Sequence, residues 1–127
     1  MAHKAYGIYP HLTWHTRLRA RCMGRVDAEQ VIEVLRQAAS QSLVHLHAVA
    51  VLSDHVHVVA SFRPDSAVSP FVRHVKSESA RRINLMRGQV FQWARGYFIE
   101  SLSREHVSAA CAYVVSQHRR HPDRVPT

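Results

Sequence analysis

The chain has 127 residues, enough for one domain with a real core and too few for a catalytic domain plus a separate recognition domain. A formal charge of +8 and an isoelectric point near 10.5 favour a polyanionic partner, and nucleic acid is the commonest one. Cys22 and Cys111 fit no zinc or disulfide spacing, no apolar run approaches membrane length, and the opening Met1-Ala2-His3-Lys4 has no apolar leader core. The expectation is a single domain over residues 1–127, cytoplasmic, with reduced thiols and no membrane association.

From Tyr6 to Arg21, Ile8, Leu12, Trp14 and Leu18 are spaced without a helical period and read as a first strand with ragged ends. Asp27 is placed to cap a helix reaching about Ser42, with Ala28, Val31, Leu35 and Ala38 or Ala39 on one face. Leu43 to Leu52 and His55 to Phe62 read as two strands joined by a Ser53-Asp54 turn. After Pro64, Asp65, Ser66 and Pro70, a second helix runs from about Val68 to Met86. It turns Val72, Val75, Ser79, Ile83 and Met86 inward, and its remaining surface carries Arg73, Lys76, Arg81 and Arg82. Tyr97 to Leu102 is a fourth strand. Ser103 as N-cap and Glu105 in the first turn suit a last helix reaching about His118. The order β-α-β-β-α-β-α predicts an α+β, ferredoxin-like split β-α-β with a four-stranded antiparallel sheet and an additional C-terminal helix.

The residues that carry chemistry lie in Asp54-His55-Val56-His57-Val58-Val59 and Tyr113-Val114-Val115-Ser116-Gln117. Alternate side chains of a strand share a face, so His55 and His57 project together while Val56 and Val58 enter the core. Residues four apart on a helix face the same way, which aligns Tyr113 with Gln117. With 11 histidines in the chain, chance alone yields about one His-x-His pair, and His45-Leu46-His47 is a second example. His55 follows a turn and opens a buried-strand run, whereas His45 and His47 are read as ordinary strand histidines.

Placed opposite each other, two imidazoles, an amide oxygen and a phenol suit cleavage of a phosphodiester. A tyrosine phenol is a poor nucleophile at neutral pH unless the phosphate is made electrophilic, which a divalent cation on the imidazoles would do. Imidazole with oxygen ligands is compatible with Mn²⁺ and, less tightly, Mg²⁺. A phosphotyrosine product would keep the bond energy for religation, so no nucleotide cofactor is expected, and no phosphate-binding glycine loop is present in the sequence. Arg73, Lys76, Arg81, Arg82, Arg119 and Arg120 are the candidate phosphate contacts for a salt-dependent DNA footprint.

With those residues in place, the sequence resembles the single-tyrosine HUH transposases of the insertion-sequence 200/605 type, relatives of the REP-associated tyrosine transposases. The resemblance covers nearly the whole chain. Asp54-His55-Val56-His57 resembles the HUH motif, and Phe71-Val72-Arg73-His74-Val75-Lys76-Ser77 the family's central helix. Phe91-Gln92-Trp93-Ala94-Arg95-Gly96-Tyr97-Phe98 resembles its tryptophan–tyrosine segment, and Tyr113-x-x-x-Gln117 its nucleophile helix. The Asn-Pro that follows the tyrosine in the REP-associated branch is missing, which favours the insertion-sequence type.

The resemblance implies a ferredoxin-like homodimer that cuts and rejoins single-stranded DNA at hairpin ends, with sites often completed by the partner's tyrosine helix. Carried over by residue, His55, His57 and Gln117 become metal ligands and Tyr113 the nucleophile. The alternative is a domesticated or inactive single-stranded DNA- or RNA-binding regulatory module, for which a sheet surface and a basic helix suffice.

Overall fold

The computed structural model describes residues 7–127. The chain forms β1 (Tyr9–His15), α1 (Arg25–Ser42), β2 (His45–Val51), β3 (His55–Ser61), α2 (Val68–Arg87), β4 (Phe98–Leu102), α3 (Val107–Val115) and the single turn α4 (Gln117–Arg120). One antiparallel sheet, ordered β2-β3-β1-β4, carries α1 and α2 on one face and α3 on the other. The expected ferredoxin-like α+β architecture is present.

Strand alternation divides the sheet between two cores. Leu12, Trp14, Val56, Val58 and Ala60 pack under α1 and α2 with Val31, Leu35, Val72, Val75 and Ile83. Ala48, Ala50, Leu52 and Val59 pack with Val114 of α3. Because β1 and β3 lie side by side in register His15↔His55 and Thr13↔His57, the polar alternates of both strands share the α3 face. At the head of β1, Gly7 (φ 96°) brings its backbone so close to the Phe62 carbonyl that an added Cβ would lie 1.9 Å from that oxygen.

Several expectations need correction. The first strand is shorter than the stretch from Tyr6 to Arg21: Tyr6 lies outside the described residues, and a 3₁₀ turn occupies Arg17–Arg19. Asp27 is not the cap of α1. Gly24 is, and its N–H donates to Asp27 Oδ2 (2.9 Å) from the third helical position. Met86 at the end of α2 is exposed. Ser103 does not cap α3 either. A 3₁₀ turn, Arg104–His106, intervenes, and the Ser103 hydroxyl pairs with His106 Nδ1 at 2.6 Å.

The last helix is divided at Ser116 rather than running unbroken to His118. There the Ser116 hydroxyl (2.8 Å) and Gln117 Nε2 (3.2 Å) both donate to the Tyr113 carbonyl, a local competition that bends helices. The N-terminal strand β1 is interior, and β2 and β4 are the sheet edges.

Candidate active site

The α3 face of β3 and β1 carries a cluster of imidazoles. His55 and His57 are both buried, with Nε2 atoms 3.1 Å apart. Asp54, itself buried, lies 2.7 Å from His55 Nδ1. A carboxylate can only accept, so His55 Nδ1–H is the donor and the Nε2 lone pair faces His57. On the far side, His57 Nδ1 meets His11 Nε2 at 3.0 Å and the Thr13 hydroxyl at 3.4 Å. Burial above all, then the neighbouring imidazoles of His55, His11, His15 and His121, pushes His57 down to about 3, so it is a neutral ring at physiological pH.

Tyr113 reaches this cluster from α3. Its ring stands edge-on to His57, with centroids 5.8 Å apart, and 6.0 Å from that of His11. The Arg120 guanidinium lies 5.5 Å from the tyrosine ring centre. Tyr113 is 43% exposed, whereas Gln117 is only 1% exposed. The Gln117 Oε1 has no hydrogen-bond partner among the described residues, a costly state for a buried acceptor unless something is meant to sit on it.

These residues fit a divalent cation. Two imidazole nitrogens each about 2.1 Å from one ion, at a right angle, are about 3.0 Å apart, and the Nε2 pair is at 3.1 Å. Among the described residues no three His, Cys, Asp or Glu side chains gather as a metal set, and the buried Gln117 amide oxygen, without a hydrogen-bond partner there, is a neutral oxygen donor of the kind such an ion accepts. A neutral His57 keeps a lone pair available for coordination.

Of the basic residues singled out in the sequence, Arg120 is brought to the tyrosine and Arg119 is exposed beside it on α4. The others lie on α2, across the sheet from Tyr113. Lys76 Nζ donates to the Ala94 and Gly96 carbonyls, and Arg81 and Arg82 both pair with Glu78. Arg73 is exposed, lining a cleft with Tyr97. His45 and His47 stand apart on β2, exposed, with His47 bonded to the Ser61 hydroxyl.

Sequence reasoning passed over His11, Thr13, His15 and the orienting role of Asp54. The available signal was a polar residue at every second position, His11-x-Thr13-x-His15, within an otherwise apolar strand.

The chain matches the family model described as "Transposase IS200 like" over residues 4–117. It belongs to that transposase family. It is 28% identical over 120 residues to the ISDra2 transposase TnpA of Deinococcus radiodurans, covering 89% of this chain and 86% of that protein. A crystal structure of a candidate transposase from Deinococcus radiodurans R1 superposes with a TM-score of 0.71 at 25% identity, over 93% of this chain and 96% of the other. The REP-associated tyrosine transposase solved bound to a REP hairpin shares the fold, with a TM-score of 0.75 at 14% identity over 95% and 72% of the two chains. Among the described residues no helix is long and apolar enough to cross a membrane.

Proposed function

We propose that this transposase cuts and rejoins single-stranded DNA, with Tyr113 as nucleophile and His55, His57 and Gln117 holding one Mn²⁺ or Mg²⁺. The observation that carries the reading is the Tyr113 ring standing against a buried, neutral His57 whose Nε2 is paired with that of His55. When bound, the cation supplies Lewis acidity to a non-bridging phosphate oxygen. Asp54 fixes the His55 tautomer, and His11 and Thr13 hold His57 in place. Tyr113 Oη bonds to phosphorus as its proton departs, and the displaced sugar oxygen leaves as a hydroxyl. The reverse displacement by another strand's hydroxyl reseals the DNA without a nucleotide cofactor.

The substrate reading, single strands with hairpin ends, is supported by the basic charge and by the relative solved with a REP hairpin. A homodimer with tyrosine helices exchanged between subunits is proposed from the family resemblance, although one chain already sets Tyr113 beside its own His57. Mixing His57→Ala with Tyr113→Phe protein separates the two arrangements, since only exchange restores a complete site in the heterodimer.

The principal test incubates the protein with single strands from the DNA flanking its gene, plus Mn²⁺ or Mg²⁺. A covalent adduct that survives SDS is expected for the wild type and none for Tyr113→Phe, with binding retained. An adduct persisting in Tyr113→Phe would assign the nucleophile elsewhere. DNA binding without an adduct in any metal would favour the regulatory-module alternative.

A further inference from the structure

Beyond His15 the chain turns sharply through Arg17–Arg19, and two successive residues, Leu18 and Arg19, adopt left-handed φ values of 58° and 54°. Neither is glycine, and side chains held in that region are strained, a condition that gathers at functional sites. The turn leaves Leu18 88% exposed. Facing it, the segment before β4 is held in place: Ala94 N–H donates to the His15 carbonyl (2.8 Å), and Lys76 Nζ donates to the Ala94 and Gly96 carbonyls (2.8 and 2.7 Å).

Between the two runs lies a cleft of about 520 Å³, lined by His15, Leu18 and Arg19 from the first run and by Arg95, Tyr97 and Phe98 from the second. None of the residues lining it is acidic. His15 joins the cleft to the histidine pair. Its ring stacks on His55 (5.3 Å, 26°) and meets Phe98 edge-on (5.9 Å, 87°). Tyr113, by contrast, approaches the cluster beside His57 and His11. Phe98, one of the lining residues, is 64% exposed. An exposed aromatic, a projecting aliphatic and two guanidinium groups in one groove are the chemistry that seats an unstacked nucleobase between its phosphates.

We propose that this cleft takes the nucleobase beside the scissile phosphate on the side away from Tyr113, the side whose oxygen departs in an in-line displacement. This rests on the cleavage reading above. Phe98 and Leu18 sandwich the base, and Arg19 and Arg95 bind the adjoining phosphates. Stacking accepts any base, so the cleft governs affinity and placement and discriminates little by sequence.

The test irradiates the metal-free protein with a pool of short random single strands carrying 5-iodo-deoxyuridine and maps the crosslinked peptides. The same pool with Mn²⁺ reads the Tyr113 adduct separately. Crosslinks are expected at Tyr97 or Phe98 and should persist in Tyr113→Phe. Phe98→Ala, a truncation at an exposed site, should weaken strand binding roughly tenfold. An abasic residue at the end of the released strand should weaken binding similarly, whereas one at the first nucleotide joined to Tyr113 should not.

Crosslinks confined to other surfaces, or unchanged affinity in both Phe98→Ala and Arg95→Gln, overturn the cleft whatever the adduct assay shows. Abasic sensitivity on the tyrosine-joined side alone overturns the assigned side. Cleft crosslinks without any adduct leave a base site standing and remove the cleavage reading together with the position beside a scissile phosphate.

Discussion

The two His-x-His pairs occupy neighbouring strands and differ in almost every physical respect except spacing. His45 and His47 sit on the edge strand β2, both exposed, their rings 4.5 Å apart, where a bulge between Leu46 and Ala48 interrupts the register. His55 and His57 sit on interior β3 with β1 on one side and β2 on the other. Interior placement surrounds the second pair with Asp54, His11 and Thr13, which orient the rings, and with Tyr113 beside them. In water an imidazole pair exchanges tautomers and partners freely. Held by buried partners, its lone pairs point one way at all times, and that preorganisation separates a site from a pair of surface residues.

The strongest way to break this comparison is to truncate one member of each pair. His57→Ala should lower adduct formation about a thousandfold, the several kcal/mol that phosphoryl activation is worth. His47→Ala should leave it within a factor of two or so, because a surface substitution costs about 0.5 kcal/mol at most. Rate measurements with a labelled strand under Mn²⁺ decide it, and equal losses would dissolve the distinction.

Gln117→Leu should weaken Mn²⁺ binding on the order of a hundredfold in calorimetry. The same substitution removes a buried acceptor that has no partner among the described residues, so the metal-free denaturation midpoint should hold or rise. A lower midpoint would mean that what the side chain gives the metal-free fold, the Nε2–H donated to the Tyr113 carbonyl included, outweighs the unpaired Oε1.

Asp54→Asn sharpens the comparison one step out from the ligands. Without the carboxylate that accepts from His55 Nδ1–H, Mn²⁺ affinity should drop roughly tenfold. Nitrogen-15 correlation spectra of the metal-free protein should show the His55 proton redistributing between its two nitrogens. An unchanged tautomer would assign Asp54 to the turn and not to the imidazole.

Without metal, the comparison predicts a pH dependence of the fold. Burial, chiefly, depresses His57 from 6.5 to about 3, so the unfolded chain takes up a proton over that range and the folded chain does not. The His57 contribution to stability is full above pH 6.5 and should be lost as pH falls toward 3. Urea midpoints at pH 7 and at pH 5 test this, with His57→Gln showing the smaller decline.

What the sequence determined by itself was whatever depends on neighbours along the chain. Period-two alternation put His55 and His57 on one face, and Val56 and Val58 on the other, because successive strand side chains point oppositely wherever the strand lies. Helical spacing likewise set Tyr113 apart from the Val107 and Val114 stripe, and Val114 alone of these is fully buried. Cap positions were less legible, since Gly24, Ser103 and Ser116 each settle a competition between side-chain and backbone hydrogen bonds that spacing does not rank.

Tertiary structure alone decided which strands neighbour β3. Pairing β1 with β3 joins residues some 46 positions apart, His11 and His57, and no local periodicity encodes that register. The same pairing made the N-terminal strand interior instead of an edge and brought His15 against His55. It also set the cleft beside the histidine pair. Burial and long-range register determine how each imidazole is oriented and protonated, and those properties come into being only when the sheet closes around them.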